Sequence, residues 1–284
     1  MNLANPSELK KLIEKHGFSF SKTLGQNFLI DEGVLDKIVG GAEICEDDCV
    51  LEIGPGAGTL TQRLAKTGAK CVAVEIDSAL LPVLNESMAE FDNFKLIHND
   101  ILKVDLNALV REEFGGNAFH VVANLPYYIT TPIVMKLLEE KLPVKTMTLM
   151  VQKEVAERMC ASAGGKEYGA LSVAVSYYCD AEIVCKAEPH CFIPQPKVTS
   201  TVVKLTVSDT PKVLVKNEKF FFSVVKAAFH QRRKTLVNAL SKSPYVNIDK
   251  EKIEKALKEM RVDEKIRGEK FSIEDFAKLS DILF

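Results

Sequence analysis

Short runs of apolar and β-branched residues alternate with amphipathic segments through the first two thirds of the chain, and this rhythm restricts the fold more than any other feature. The runs are Cys49 to Ile53, Cys71 to Ile76, Phe94 to His98, His120 to Ala123, Thr146 to Val151, Glu182 to Lys186 and Ser200 to Val207. Helical patterns such as Thr59 to Thr67, Ser78 to Phe91 and Thr131 to Glu140 fall between the early ones. Strands alternating with helices predict an α/β, doubly wound, mostly parallel seven-stranded sheet. Only the turn-rich PHCFIPQPKVT separates the last two runs, so they should pair antiparallel at one sheet edge.

After Asp209-Thr210-Pro211 the pattern turns to helices alone: Lys219 to Phe229, Arg232 to Ser241, Asp249 to Met260 and Ser272 to Leu283. Asp249 and Ser272 are N-cap candidates, and Asp275 stands where it can complete a capping box with Ser272. Two domains are therefore expected, a sheet domain over 1–208 and a small all-helical domain over 209–284.

A chain of 284 residues, 46% hydrophobic and 27% charged, has ample material for a core. Its net charge of -2 projects no global field toward a polyanion, so any nucleic-acid surface must be local. The seven cysteines include no Cys-x-x-Cys pair and sit mostly in strand-like runs, as reduced core residues of a cytoplasmic protein would. Cys179, Cys185, Cys191 and His190 lack the usual spacing of zinc ligands, so no metal is expected. The N-terminus carries neither a signal core nor an Arg-rich transit pattern, and no apolar run approaches the roughly 18 residues of a membrane span.

Chemistry concentrates at the C-terminal ends of the expected strands. Gly54, Gly56 and Gly58 follow the first strand and precede a helix, where a tight turn and a close ligand approach leave no room for a Cβ. Glu75 ends the next strand, the place from which a carboxylate can accept both hydroxyls of a ribose. The glycine order is G-x-G-x-G, with Thr59 where a dinucleotide fold would carry its third glycine beneath a pyrophosphate. An adenosine-bearing ligand without that pyrophosphate, S-adenosylmethionine, is the reading that remains. Asp100 could take the adenine amino group and Ile101 pack on the ring, although Asp100 could equally cap a turn.

The fourth strand delivers Asn124 to the same rim, followed by Leu125, Pro126 and Tyr127. Pro126 fixes its own φ and drives Leu125 extended, which can aim the Leu125 carbonyl into a cleft. An exocyclic adenine amino group must have its lone pair drawn back from the ring before it attacks a sulfonium methyl. The Asn124 side-chain oxygen and the Leu125 carbonyl are two acceptors for its N–H bonds, and Tyr127 can stack on a base that is unpaired or flipped out. Tyr128 is by default a packing residue.

Taken together, LGQNFL (Leu24 to Leu29), EIGPGAGTLT, VEID, ND, NLPYYIT, FIPQPKVTSTVV (Phe192 to Val203) and HQRRKTLVNAL (His230 to Leu240) make the chain similar, nearly end to end, to the small-subunit ribosomal RNA adenine dimethyltransferases. The resemblance implies a class I S-adenosylmethionine-dependent methyltransferase domain with a helical RNA-positioning domain. It implies transfer of methyl groups to N6 of two adjacent adenosines in a hairpin near the 3′ end of small-subunit rRNA, within immature small subunits. By the same resemblance Asn27 and Leu29 would close over the methionine end of the cofactor, and Phe192 would form the second face of a base sandwich opposite Tyr127. Simpler readings stay open: QNFL as a loop tucking Phe28 into the core, and Phe192 as a turn aromatic.

From Pro211 to Lys242 the chain carries Lys212, Lys216, Lys219, Lys226, Arg232, Arg233, Lys234 and Lys242 against the single acid Glu218. With an rRNA substrate, Lys226, Arg232, Arg233 and Lys234 become candidates for phosphate contact; the alternative is a solvated helix face. A monomer without membrane or metal partners is expected. The rival functions are a large-subunit rRNA adenine methyltransferase conferring antibiotic resistance and a mainly non-catalytic ribosome-assembly factor.

Overall fold

A computed structural model of the chain describes residues 1–21 and 23–284. In chain order its elements are α1 (Pro6–Lys15), β1 (Phe28–Leu29), α2 (Glu32–Ala42), β2 (Cys49–Ile53), α3 (Thr59–Ala65), β3 (Lys70–Glu75), α4 (Leu81–Ser87), β4 (Phe94–His98), α5 (Leu106–Phe114), β5 (Phe119–Asn124), α6 (Thr130–Glu139) and β6 (Val144–Gln152). There follow α7 (Lys153–Met159), α8 (Ala170–Tyr178), β7 (Cys179–Ala187), β8 (Phe192–Ile193), β9 (Ser200–Val207), α9 (Glu218–His230), α10 (Leu236–Ser241), α11 (Lys250–Glu259) and α12 (Ile273–Leu283). The chain divides into two compact units, Met1–Ala156 with Glu182–Val207, and Glu157–Ala181 with Ser208–Phe284. The last of the three boundaries falls between Val207 and Ser208, while the segment 157–181, placed in the sheet domain by the sequence reading, groups with the helices.

The first unit is built on a seven-stranded sheet of order β4-β3-β2-β5-β6-β9-β7. β4, β3, β2, β5 and β6 are parallel, and β9 runs antiparallel to β6 from Thr146↔Thr206 to Gln152↔Ser200. Strands covered on both faces need unbroken apolar runs, and Val50, Leu51, Val72, Ala73, Val121 and Val122 are all fully buried. Chain order reverses at β2: β3 and β4 lie to one side, β5 and β6 to the other. The carboxyl ends of β2 and β5 therefore border the crevice that such a reversal opens.

A feature absent from the sequence reading is a second, two-stranded sheet. β1 pairs antiparallel with β8, Phe28↔Ile193 and Leu29↔Phe192, which ties the LGQNFL segment to FIPQPKV. Phe28 packs with Phe18 and Phe20 at ring-centroid distances of 5.7 and 5.1 Å. The core-filling reading of this aromatic therefore holds.

Local differences from the sequence expectations have local causes. The segment 78–91 breaks into a 3-10 turn at Ser78–Leu80 and the short α4, because Asp77 caps the turn through Ala79 N and Pro82 restarts the helix. α10 begins at Leu236 rather than Arg232, since Thr235 is its N-cap and Lys234 N bonds back to Gln231 O at 2.8 Å. Asp249 stands at the N-cap of α11 without a side-chain capping bond, whereas Ser272 and Asp275 form the reciprocal capping box at α12. In the second unit α9, α10, α11 and α12 enclose Phe221, Leu236, Ile253, Phe271 and Phe276. Among the described residues no helix is long and apolar enough to cross a membrane.

Candidate active site

At the carboxyl ends of the central strands lies a cleft of about 1100 Å3, part of it open to solvent. Gly54, Gly56, Glu75, Asp100, Ile101, Asn124, Leu125, Pro126, Tyr127, Asn27 and Leu29 all line it. Two glycines of the turn illustrate why glycine is required there. Gly56 has φ +62°, and a Cβ there would meet the Phe28 ring at 3.0 Å; Gly58 has φ +95°, and a Cβ there would lie 2.7 Å from Ser87 Oγ.

Glu75 is 4% exposed at the tip of β3. Its Oε2 accepts from Gly56 N at 3.3 Å and its Oε1 from Asp77 N at 2.8 Å. Burial nevertheless raises its pKa against those backbone donors. The carboxylate is thus held on the glycine turn with its acceptor capacity only partly used. Asp77 in turn accepts from Gln26 Nε2 at 2.6 Å, which ties the 23–27 segment to the residues that follow β3.

Asp100 fulfils its turn reading: Oδ1 accepts from Leu102 N at 3.0 Å, and Lys103 N bonds to its carbonyl. It lines the cleft as well, with Lys103 Nζ at 3.7 Å from Oδ2. The cap and the ligand readings are compatible because a carboxylate has lone pairs for both.

Asn124 ends β5, and its Nδ2 donates to Asn27 O at 2.9 Å. That bond fixes the amide orientation, and among the described residues no group donates to its Oδ1. Asn27 is itself braced by Nδ2 to Gly25 O at 3.0 Å. Leu125 N is taken by Met150 O, while the following turn closes on the Pro126 carbonyl through Ile129 N and Thr130 Oγ1. The Leu125 carbonyl is not the acceptor in those turn bonds. Tyr127 is half-buried with its hydroxyl 2.8 Å from Ser200 Oγ, and burial pushes its pKa up. Tyr128, expected to be packing, is instead 61% exposed at the cleft.

Phe192 is the predicted site residue the structure does not bring to the cleft. It is 1% exposed and packed with Leu29, Val34, Leu35 and Val202, because pairing of β8 with β1 turns its ring into the core. Conversely, Glu52 was missed. It lies on β2, 2% exposed, in the cleft wall, with burial pushing its pKa up to about 8 and the Glu75 charge adding to the rise. Thr61 is close enough to oppose that shift, but no hydrogen bond of ordinary geometry closes on Glu52 Oε2, and the Thr59 and Thr61 hydroxyls are also unpartnered. A lone acid in the apolar run CVLEI was the available signal. Lys226, Arg232, Arg233 and Lys234 are all exposed in the second unit. Among the described residues no group of three or more His, Cys, Asp or Glu could hold a metal ion.

The sheet order and the glycine turn at its crevice are those of a class I S-adenosylmethionine-dependent methyltransferase. Residues 17–283 match the family model described as ribosomal RNA adenine dimethylase. Over 281 residues the chain is 53% identical to ribosomal RNA small subunit methyltransferase A of Clostridioides difficile, covering 99% of this chain and 96% of that protein. The protein of the same name from Bacillus pumilus is 51% identical over 284 residues, covering 99% and 97%. Among solved structures, a dimethyladenosine transferase from Plasmodium falciparum superposes with a TM-score of 0.73 at 29% identity, covering 89% of this chain and 95% of that one. The 23S rRNA methyltransferase ErmE gives 0.69 at 26% identity, covering 90% and 99%. The chain belongs to the ribosomal RNA adenine dimethylase family. It is a methyltransferase that acts on ribosomal RNA with S-adenosylmethionine as methyl donor.

Proposed function

We propose that this enzyme dimethylates N6 of two adjacent adenosines in a hairpin near the 3′ end of small-subunit rRNA, working as a cytoplasmic monomer on immature small subunits. The observation that supports the chemistry is the Asn124 amide, held by its Nδ2 bond to Asn27 O in a cleft that Asn124 and Leu125 both line. The small-subunit reading rests on the names and near-complete coverage of the curated relatives. Similarity to ErmE is the observation behind the rival large-subunit substrate, and it comes at lower identity.

The residues present fit the cofactor. Positive φ at Gly54 with open space around it leaves room for a ligand against the turn. Glu75 would take the ribose hydroxyls, and Asp100 with Ile101 the adenine. The unpartnered oxygens of Glu52 and Thr59 suit the charged amino-acid end, near Asn27 and Leu29. Bound S-adenosylmethionine supplies an electrophilic methyl on a sulfonium that leaves as a neutral sulfide.

What the protein adds is position and polarisation. Asn124 Oδ1 and the Leu125 carbonyl accept the two N–H bonds of the target amino group and return its lone pair to nitrogen. Tyr127 stacks on the flipped base, its ring held by the bond to Ser200. After transfer the alkylated nitrogen is acidic and passes its proton to water, so no carboxylate base is required. Methyl incorporation with nucleotide mapping tests this reading: label should enter adjacent adenosines of undermethylated small subunits, and label confined to large-subunit RNA would overturn it.

A further inference from the structure

The second unit holds a loop, 160–169, whose shape is set from both sides. Gly164 N donates to Glu269 O at 2.7 Å, and Tyr168 is 3% exposed with its ring edge-on to Phe229 at 5.8 Å. Between those anchors Arg232 Nη2 donates to Lys166 O at 2.7 Å and to Tyr168 O at 3.0 Å. Arg232, a candidate phosphate ligand in the sequence, is therefore committed to the loop backbone. Its acceptors are neutral carbonyls, so its charge is not cancelled.

The clamp leaves Lys166 projecting, with a side chain 95% exposed whose ion pair to the neighbouring Glu167 is long at 3.9 Å. Lys270 Nζ lies beside the same loop, 3.8 Å from where a Cβ on Gly164 would sit. Arg233 and Lys234 follow Arg232 in an exposed turn. Among the described residues Arg233, Lys234 and Lys270 make no ion pair, while Lys212, from the same basic run, is paired with Asp180. Pairing thus removes part of the linear charge run and folding adds two lysines distant in sequence.

We propose that the 160–169 loop, held by Arg232, is an RNA-docking element in which Lys166, with Arg233, Lys234 and Lys270, contacts backbone phosphates of the rRNA, and that Arg232 is its positioning residue. The proposal rests on the rRNA-methyltransferase reading but not on which adenosines are modified. A loop already fixed at two points loses little entropy on engaging phosphate, and a lysine that projects from it displaces condensed counterions.

The test is binding of the full-length protein to undermethylated small subunits across a salt series. Lys166→Ala should weaken binding several-fold and flatten the log–log salt slope by about one, with cofactor affinity unchanged. Arg232→Ala should weaken binding and speed tryptic cleavage after Lys166, and its effect should shrink in a Lys166→Ala background. Normal affinity and slope in Lys166→Ala, alongside weakened binding in the Arg233→Ala/Lys234→Ala variant, would overturn the loop's role. Unchanged binding in every variant would remove the whole basic surface.

Discussion

Replacing Glu52 by Gln should make the protein more stable at neutral pH, although the change lies in the cleft wall. Glu52 is 2% exposed and burial lifts its pKa from 4.5 to about 8. The folded state therefore keeps a proton that the unfolded chain has released above about pH 4.5. Stability from this group is fully present below the unfolded pKa, falls as pH rises, and is lost once pH passes the folded value. At about 1.4 kcal/mol per pH unit, the wild type should give up roughly 3 kcal/mol by pH 7 and about 5 kcal/mol above pH 8. Glutamine has the shape of the protonated acid and does not titrate, and the open Thr59 and Thr61 hydroxyls offer acceptors for its amide. Urea unfolding of the two apoproteins at about pH 5, 7 and 8.5 reads the difference directly. Near-equal stability at the lowest pH, diverging in favour of Glu52→Gln as pH rises, is expected. A difference that stays constant across the series would refute the buried-proton argument.

Two further substitutions separate roles that lie close together. Tyr127→Phe keeps the ring and loses only the Ser200 bond, so methyl transfer should stay within several-fold of wild type; Tyr127→Ala should weaken productive RNA binding by about 1–3 kcal/mol, measured as loss in kcat/KM for RNA. Phe192→Ala should cost about 3–5 kcal/mol in an unfolding experiment, because it empties a fully buried core site on β8 opposite Leu29 of β1, while cofactor affinity of the folded protein is retained.

What could be read from the sequence was what local chemistry sets. Alternating apolar runs are a direct image of a sheet covered on both faces, and the seven strands follow from them. The glycine turn was legible because positive φ at Gly54, Gly56 and Gly58 is a local demand. Pairing between remote segments was not. Phe192 looked available beside Pro194, and only its pairing with Leu29 buries it. Arg232 read as a free cation because its acceptors, the carbonyls of Lys166 and Tyr168, lie far back in the chain. Glu52 shows a different gap: the residue was visible, but its proton affinity depends on how deeply β2 lies in the sheet. Thr235 as the N-cap of α10 was a local signal that the expected helix from Arg232 passed over.

The central claim is that a fixed amide at Asn124 activates the target amino group rather than merely shaping the cleft. Its most direct test is Asn124→Ala assayed twice, by equilibrium cofactor binding and by methyl transfer into undermethylated small subunits at saturating cofactor. Cofactor affinity within several-fold of wild type together with transfer lowered by about two orders of magnitude or more is the predicted result. Near-normal transfer at saturating cofactor would contradict it.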